Sequence, residues 1–446
     1  MSIHRLFKSY EDIEKRYEVF ESKEKYSDLV TADSDGDFPV HRWFHLKESF
    51  SKDLLTSLTR EWKVESGYTK KILDPFCGIG TSLISAQILN KRKDLNSRYL
   101  GFEINPFLKF VSEVKSKWHL YDDKKFINLC EKVVSCGDIK TEIDPPKLST
   151  VKREDVYSKE TLEELLKYRS LIDGIECREK DLLKLGYASI VEEVSGARKD
   201  GRALRIVGND NKPGPKRALK ESYKNIYEDI RRSGDLLSPV ESDIILGDGR
   251  KTNGGLGNLN THKDEFGLIA YSPPYPNNID YSEVYKLELW MCGFVEDSDE
   301  FLNLRHQTFR SHPSVRFKNP IDIVNEDSML PVRDVLDTLI GALPRDGNRD
   351  WRADLFRGYF DDMHKSLRRQ RNLLTEGGWI FCVVGNSIHG PRGRPEARVT
   401  IAADLIIALI AESLGLEVQA IQIARHLTRR SPANRFLRES IVVMRK

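Results

Sequence analysis

A short strand candidate, Lys71–Asp74, runs straight into Pro75-Phe76-Cys77-Gly78-Ile79-Gly80 and then into helical sequence from Thr81. No other feature of the 446-residue chain constrains its fold as much. Glycine tolerates the backbone angles of a sharp reversal and lets the main chain approach a ligand, while the following helix start favours negative charge. The turn is not a dinucleotide G-x-G-x-x-G, because the third glycine is missing, and no lysine follows as in a P-loop. A generic turn remains the competing reading of this segment taken alone.

Six further apolar runs read as strands, at 99–103, 243–246, 267–272, 379–385, 418–424 and 440–444. Helical spacing separates them. Residues 81–90 repeat apolar positions three and four apart, Pro106 can open a helix carrying Phe107, Phe110, Val111, Val114 and Trp118, and 400–415 is nearly all apolar. Alternation of this kind predicts a mostly parallel sheet covered on both faces, with the ligand at the strands' carboxyl ends. Two interruptions, 120–240 and 295–374, are too long for ordinary connections and are expected to carry structure or binding surface. The first is partly helical (159–167, 179–194) and then basic, with Arg198, Lys199, Arg202, Arg205, Lys212, Lys216 and Arg217. The second holds Arg305, His306, Arg310, His312, Arg316 and Lys318. A third basic patch, Arg425, Arg429, Arg430, Arg435 and Arg438, lies near the C-terminus.

With 39% hydrophobic and 31% charged residues, the composition is that of a globular protein with a large core. The longest apolar stretch, 401–414, is broken by Asp404 and Glu412 and is too short for a bilayer. The charged N-terminus shows no apolar signal core, and six scattered cysteines without C-x-x-C pairs suit a reducing compartment. A cytoplasmic protein without a metal site or membrane partner is expected. Net charge is only +2, so a polyanionic partner must be held by local basic patches. Arg198, Lys199, Arg202, Arg205, Arg305 and Arg310 are the candidates for phosphate contact, although charge runs are as often plain solvated faces.

The apolar run 266–271 ends in Ser272-Pro273-Pro274-Tyr275. Prolines fix φ and lack an N–H, so carbonyls there stay free to accept, while Tyr275 offers a ring on which a base could stack. Such a turn suits an exocyclic amine on a base removed from its helix, although a simple turn is the bland alternative. Glu103, ending the second strand, is placed to accept from ribose hydroxyls, or else to cap a helix. Asp248, in Leu246-Gly247-Asp248-Gly249, could accept from an adenine amino group or sit in a solvated turn. Ser135-Cys136-Gly137-Asp138 competes for that role. Asn277, Asn278, Asp280 and Tyr281 are candidate pocket residues, with helix capping the other reading of Asp280.

These residues together resemble the amino-group family of S-adenosylmethionine-dependent DNA methyltransferases. Asp74-Pro75-Phe76-Cys77-Gly78-Ile79-Gly80-Thr81 is similar to that family's cofactor motif, and Ser272-Pro273-Pro274-Tyr275 to its catalytic motif. His41-Arg42-Trp43-Phe44 with Lys47-Glu48-Ser49-Phe50-Ser51 resembles the extra cofactor-side motif, and the stretch from Gly377 to Ser387 the fifth-strand region. The resemblance covers roughly residues 40–120 and 240–446. It implies an α/β, Rossmann-like, seven-stranded sheet with a partly helical insertion. It also implies that Asp74, Phe76, Gly78, Gly80, Thr81, Glu103, Asp248 and Phe50 hold S-adenosylmethionine. Ser272, Pro273, Pro274 and Tyr275 would serve catalysis on double-stranded DNA. Serine at the head of the motif resembles the cytosine-N4 branch; adenine-N6 and an RNA base amine are the alternatives. A restriction–modification role, with a cognate endonuclease as partner, follows from the resemblance alone. The organisation expected is an N-terminal segment (1–60), the cofactor half of the core (61–120), a basic insertion for DNA recognition (121–240) and the catalytic half (241–446) interrupted at 295–374. The insertion precedes the third strand, unlike the family's usual layouts, so either interruption could recognise DNA.

Overall fold

The computed structural model describes all residues except 1–2, 33–34, 136–142, 201–202, 209–210, 252–263, 278, 318–319, 345–346, 348, 391–397 and 428–433. Arg202, Cys136, Gly137, Asp138, Asn278, Lys318, Arg429 and Arg430 therefore lie outside the described residues. In chain order the strands are β1 (Val19–Glu21), β2 (Lys71–Asp74), β3 (Arg98–Glu103), β4 (Ala197–Asp200), β5 (Ala203–Ile206), β6 (Glu241–Leu246), β7 (Phe266–Tyr271), β8 (Leu374–Gly385), β9 (Ser387–His389), β10 (Val399–Ile401), β11 (Glu417–His426) and β12 (Arg438–Arg445).

Among the described residues, eight strands form one sheet in the order β1-β11-β12-β8-β7-β2-β3-β6. The seven expected strands are all present. The eighth, β1, adds in parallel to the edge of β11 and was too short to show a pattern in sequence. Only β12 runs antiparallel to its neighbours. From β2 the chain builds outward through β3 to β6, then returns to place β7 on the other side of β2. The gap between β2 and β7 is thus the topological switch point, where an open α/β sheet leaves a crevice at its carboxyl edge.

Alternation along the strands feeds two cores. Ile269 and Tyr271 face one side of β7, and Leu268 and Ala270 the other. The first side packs under helices Ile3–Glu14, Leu330–Ala342, Arg349–Leu373 and Ala403–Ser413; the second under Leu54–Glu61 and Thr81–Lys93. Helix Pro106–Ser116 opens with Pro106 behind an Asn105 cap and joins a third cluster. That cluster includes the helices of the first interruption, Asp123–Val134, Lys159–Asp173, Lys180–Glu193 and Pro215–Leu236.

Two sequence expectations change. The first part of the basic run is the hairpin β4–β5, with Arg198 opposite Arg205 and Lys199 opposite Leu204, and its last part, Lys216 and Arg217, opens helix Pro215–Leu236. The second interruption is only partly inserted sequence. Its C-terminal part, the 25 residues Arg349–Leu373, is a sheet-covering helix whose buried Phe356, Tyr359, Phe360, Met363 and Leu367 recur at helical spacing among many charges. Among the described residues no helix is long and apolar enough to cross a membrane.

Candidate active site

The register of the parallel strands brings the ends of β2, β3, β6 and β7 to one edge, and their following turns line a single cleft. The glycine turn supplies its floor. Gly78 and Gly80 adopt φ of 52° and 82°, and a Cβ at Gly80 would stand 2.6 Å from Ser112 Oγ, so this path needs glycine. Asp74, buried at the end of β2, accepts from the Phe76 N–H at 2.8 Å and from the Ser82 hydroxyl, and so fixes the turn from beneath. Burial pushes its pKa up to about 7, against those two hydrogen bonds.

Glu103 reaches the cleft from β3. Its two carboxylate oxygens accept from Gly78 N–H at 2.9 Å and Asn105 N–H at 2.8 Å. Each oxygen keeps lone-pair capacity for a further donor. Burial raises its pKa to about 7, with the backbone donors pulling the other way. Beside it, Asn105 uses its carbonyl oxygen to cap the helix, accepting from Phe107 N–H and Leu108 N–H, while its buried Nδ2 has no partner. Phe76, Phe102, Ile104 and Leu108 add apolar wall. A glycine cradle, a carboxylate with spare acceptors, an unpaired amide donor and an apolar wall fit a nucleoside-bearing cofactor.

Other expected cofactor residues lie differently. Phe50 is packed in the core with Leu54, Leu83 and Ala86, because the segment turns inward after Glu48; Leu46 and Glu48 line the cleft instead. Thr81 sits behind the turn, its hydroxyl 3.3 Å from that of Ser49. Asp248 lines the cleft, but its carboxylate is paired with the buried Arg250 guanidinium at 2.8 Å and 2.9 Å. Arg250 also meets Asp362 at 2.7 Å and donates to the Gln307 carbonyl. In the extra motif, Arg42 and Trp43 are held by Asp229 of helix Pro215–Leu236 and are structural. Cys77 is buried against Gly101, and burial drives its thiol pKa well up, as befits a packing residue.

On the opposite side, Ser272, Pro273 and Pro274 border the same cleft. Tyr275 does not. Its ring packs on Gly385 and its hydroxyl accepts from Ser272 Oγ at 3.1 Å, so it is turned away from the stacking position expected of it. The Pro276 carbonyl behind it accepts from Ser387 Oγ at 2.6 Å, which ties the turn to the segment after β8. Asp280 caps helix Tyr281–Val284 rather than entering the pocket, whereas Tyr281 lines it. The remaining wall, Gln307, Thr308, Phe309, Ser311 and His312, comes from the second interruption and had no local sequence signal beyond its basic residues.

Three of the expected phosphate ligands are internal. Arg310, 4% exposed, pairs with Asp361 at 2.6 Å and Asp362 at 2.7 Å. Lys199 points to the inner face of its hairpin, pairing with Glu192 at 2.8 Å and with buried Glu288. Arg305 is held by Asp280 at 2.9 Å and Glu283 at 3.2 Å. Arg198 and Arg205 are exposed on the outer face, as cross-strand partners must be. The hairpin rests on helix Tyr281–Val284, directly after the Ser272 turn.

No family model matches the chain, and no solved structure matches it. Named proteins do. Type II methyltransferase M.AvaI, from Nostoc sp. and from Anabaena variabilis, is 26% identical, over 88% of this chain and 82% of that protein. Type II methyltransferase M.BsoBI from Geobacillus stearothermophilus is 29% identical, over 64% of this chain and 59% of that protein. Through these relationships the chain is a homologue of type II methyltransferases, and S-adenosylmethionine is its cofactor.

Proposed function

We propose that the chain is a site-specific DNA methyltransferase that methylates an exocyclic base amine, N4 of cytosine, within a restriction–modification system alongside a cognate endonuclease. The observation that supports this most is the position of Ser272-Pro273-Pro274 directly across one cleft from Gly78 and Glu103, at the switch point of the sheet. When bound, S-adenosylmethionine supplies an electrophilic methyl group. Gly78, Glu103 and Asn105 hold its nucleoside portion. The exocyclic amine is a poor nucleophile because its lone pair is delocalised into the ring. Acceptance of its N–H groups by Ser272 Oγ and the Pro273 carbonyl draws the nitrogen towards a tetrahedral geometry and frees the lone pair for in-line attack. Tyr281, beside the Ser272 turn, is a ring of the cleft on which a flipped base could stack. Adenine N6 is the second reading. Digestion of methylated plasmid to nucleosides decides it: N4-methylcytosine is expected, N6-methyladenine would transfer the proposal to the other base, and label confined to RNA would refute a DNA substrate.

Two further outcomes are expected. Ribose hydroxyls donate best to ionised Glu103, whose carboxyl titrates near 7 in the free protein. Binding therefore favours loss of that proton, so cofactor affinity should rise with pH up to about 7 and level above it. Glu103→Gln should bind more weakly and lose this rise relative to the parent, as measured by calorimetry from pH 5.5 to 8.5. For DNA, Arg198→Ala and Arg205→Ala should each lower the slope of log Kd against log salt by about 1, one phosphate contact apiece, while stability moves by less than about 0.5 kcal/mol. An unchanged slope would take the outer face of the hairpin out of the interface.

A further inference from the structure

Four strands converge behind Ser272. Ser272 Oγ donates to Tyr275 Oη at 3.1 Å, and Tyr275 Oη donates to Glu439 Oε1 at 2.8 Å. The other carboxylate oxygen, Glu439 Oε2, accepts from Arg425 Nε at 2.6 Å. The register explains the meeting. β12 is antiparallel, so its second residue, Glu439, lies at the edge where β7 and β8 end, opposite Gly385 of β8 and Arg425 of β11. A Cβ on Gly385 would stand 2.8 Å from two carbons of the Tyr275 ring, so the ring lies directly on the β8 backbone. Glu439 is 4% exposed, and its partner Arg425 reaches outward with a side chain 35% exposed.

This chain of hydroxyls has a direction. An ionised carboxylate only accepts, so Tyr275 must give its proton to Glu439, and its free lone pair then accepts from Ser272. With its own proton turned inward, Ser272 Oγ presents lone pairs to the cleft. The reverse order would point an O–H at the incoming amine and repel it.

We propose that Glu439, held by Arg425, is a positioning residue for methylation: through Tyr275 it orients Ser272 Oγ as an acceptor and receives the proton that the amine releases. This rests on the base-amine methyltransferase reading above. In the step, the nitrogen lone pair forms the N–CH3 bond as the S–CH3 bond breaks, its electron pair passing to sulfur. The nitrogen is left positively charged with one proton in excess. That proton passes to Ser272 Oγ, the serine proton to Tyr275 Oη and the tyrosine proton to Glu439. The resulting neutral carboxylic acid then returns a proton to solvent along the Arg425 side.

The test uses the full chain, tritiated S-adenosylmethionine and a plasmid substrate under single-turnover conditions. Glu439→Gln keeps the shape but removes the charge that sets the direction. It should slow methyl transfer about 10²-fold, the lower end of the range for a lost proton-transfer partner. The Kd values for cofactor and for DNA should stay within about twofold. Tyr275→Phe breaks the same chain, so the double variant should be no slower than the slower single one. Arg425→Lys, which keeps a cation beside the carboxylate, should retain more activity than Arg425→Ala. Multiplying losses in the double variant, or a Glu439→Gln rate equal to the parent's, would overturn the proposal. Should Glu439→Gln lose its fold by circular dichroism, Tyr275→Phe alone decides, and a parental rate there overturns it. A parent that methylates no nucleic acid refutes the underlying reading instead, so the two failures are separate.

Discussion

Ser272→Ala is expected to lower the methyl-transfer rate about 10²–10³-fold while leaving cofactor affinity within about twofold, the scale seen when one preorganised polar group aimed at a reacting centre is removed. The split follows from which elements build each half of the cleft. Gly78, Glu103 and Asn105 stand on the turns after β2 and β3 and are fixed by their own backbone contacts. None of them bonds to the Ser272 hydroxyl, which donates to Tyr275. Removing that hydroxyl deletes an acceptor for the amine and leaves Tyr275 still anchored by Glu439, so the turn keeps its path. Pro273 and Pro274 hold φ without help from the side chain. A rapid-quench experiment with tritiated cofactor, paired with a cofactor titration, reads both quantities. An unchanged rate would remove Ser272 from the chemistry, and a matching loss in affinity would mean that the two halves are not independent.

What could be read in advance divides by the range of the interaction involved. β2, Gly78, Gly80 and the helix from Thr81 were legible because a strand, a positive-φ turn and a helix start are written in consecutive residues. Glu103 and Ser272 were legible because each ends an apolar run, and a parallel sheet brings such ends to one edge. Phe50 failed for a local reason: three residues separate Leu46, which lines the cleft, from a side chain directed into the core, and nothing in the motif marks where the chain turns. Tyr275 failed because its true neighbours, Gly385 and Glu439, lie more than a hundred residues downstream. Lys199, Arg305 and Arg310 are tied up in ion pairs by the same distance effect. Lys199 differs from Arg198 only by the alternation of a hairpin, which turns one inward towards Glu192 and Glu288 and the other to solvent. Period-two spacing around 197–206 was available as a signal, but the density of positive charge hid it.

Arg310 shows the largest consequence of that distance effect, and Arg310→Ala is expected to destabilise the fold by about 3–5 kcal/mol, as loss of one partner from a buried ion pair does. As a surface phosphate ligand the same residue would leave stability within about 0.5 kcal/mol. The guanidinium meets Asp361 and Asp362 on helix Arg349–Leu373, and the Arg310 N–H itself donates to Asp362 at 2.9 Å. Both carboxylates are buried and carry other work. Asp361 accepts from Asp322 N–H and Ile323 N–H at 2.8 Å each and meets Lys365 at 2.9 Å, while Asp362 also holds Arg250. Those remaining partners keep the loss towards the lower end of the range. Arg250 in turn pairs with Asp248, so the site should feel the change through the turn after β6. Urea unfolding followed by circular dichroism gives the stability, and cofactor titration of the folded variant gives the effect on the site. Arg310→Lys restores one charge but not the guanidinium fork that reaches both aspartates, and should recover only part of the loss. If Arg310→Ala instead kept the parental stability and weakened only DNA binding, the ion pairs with Asp361 and Asp362 would not be what holds the cleft wall at Phe309 and Ser311 in place.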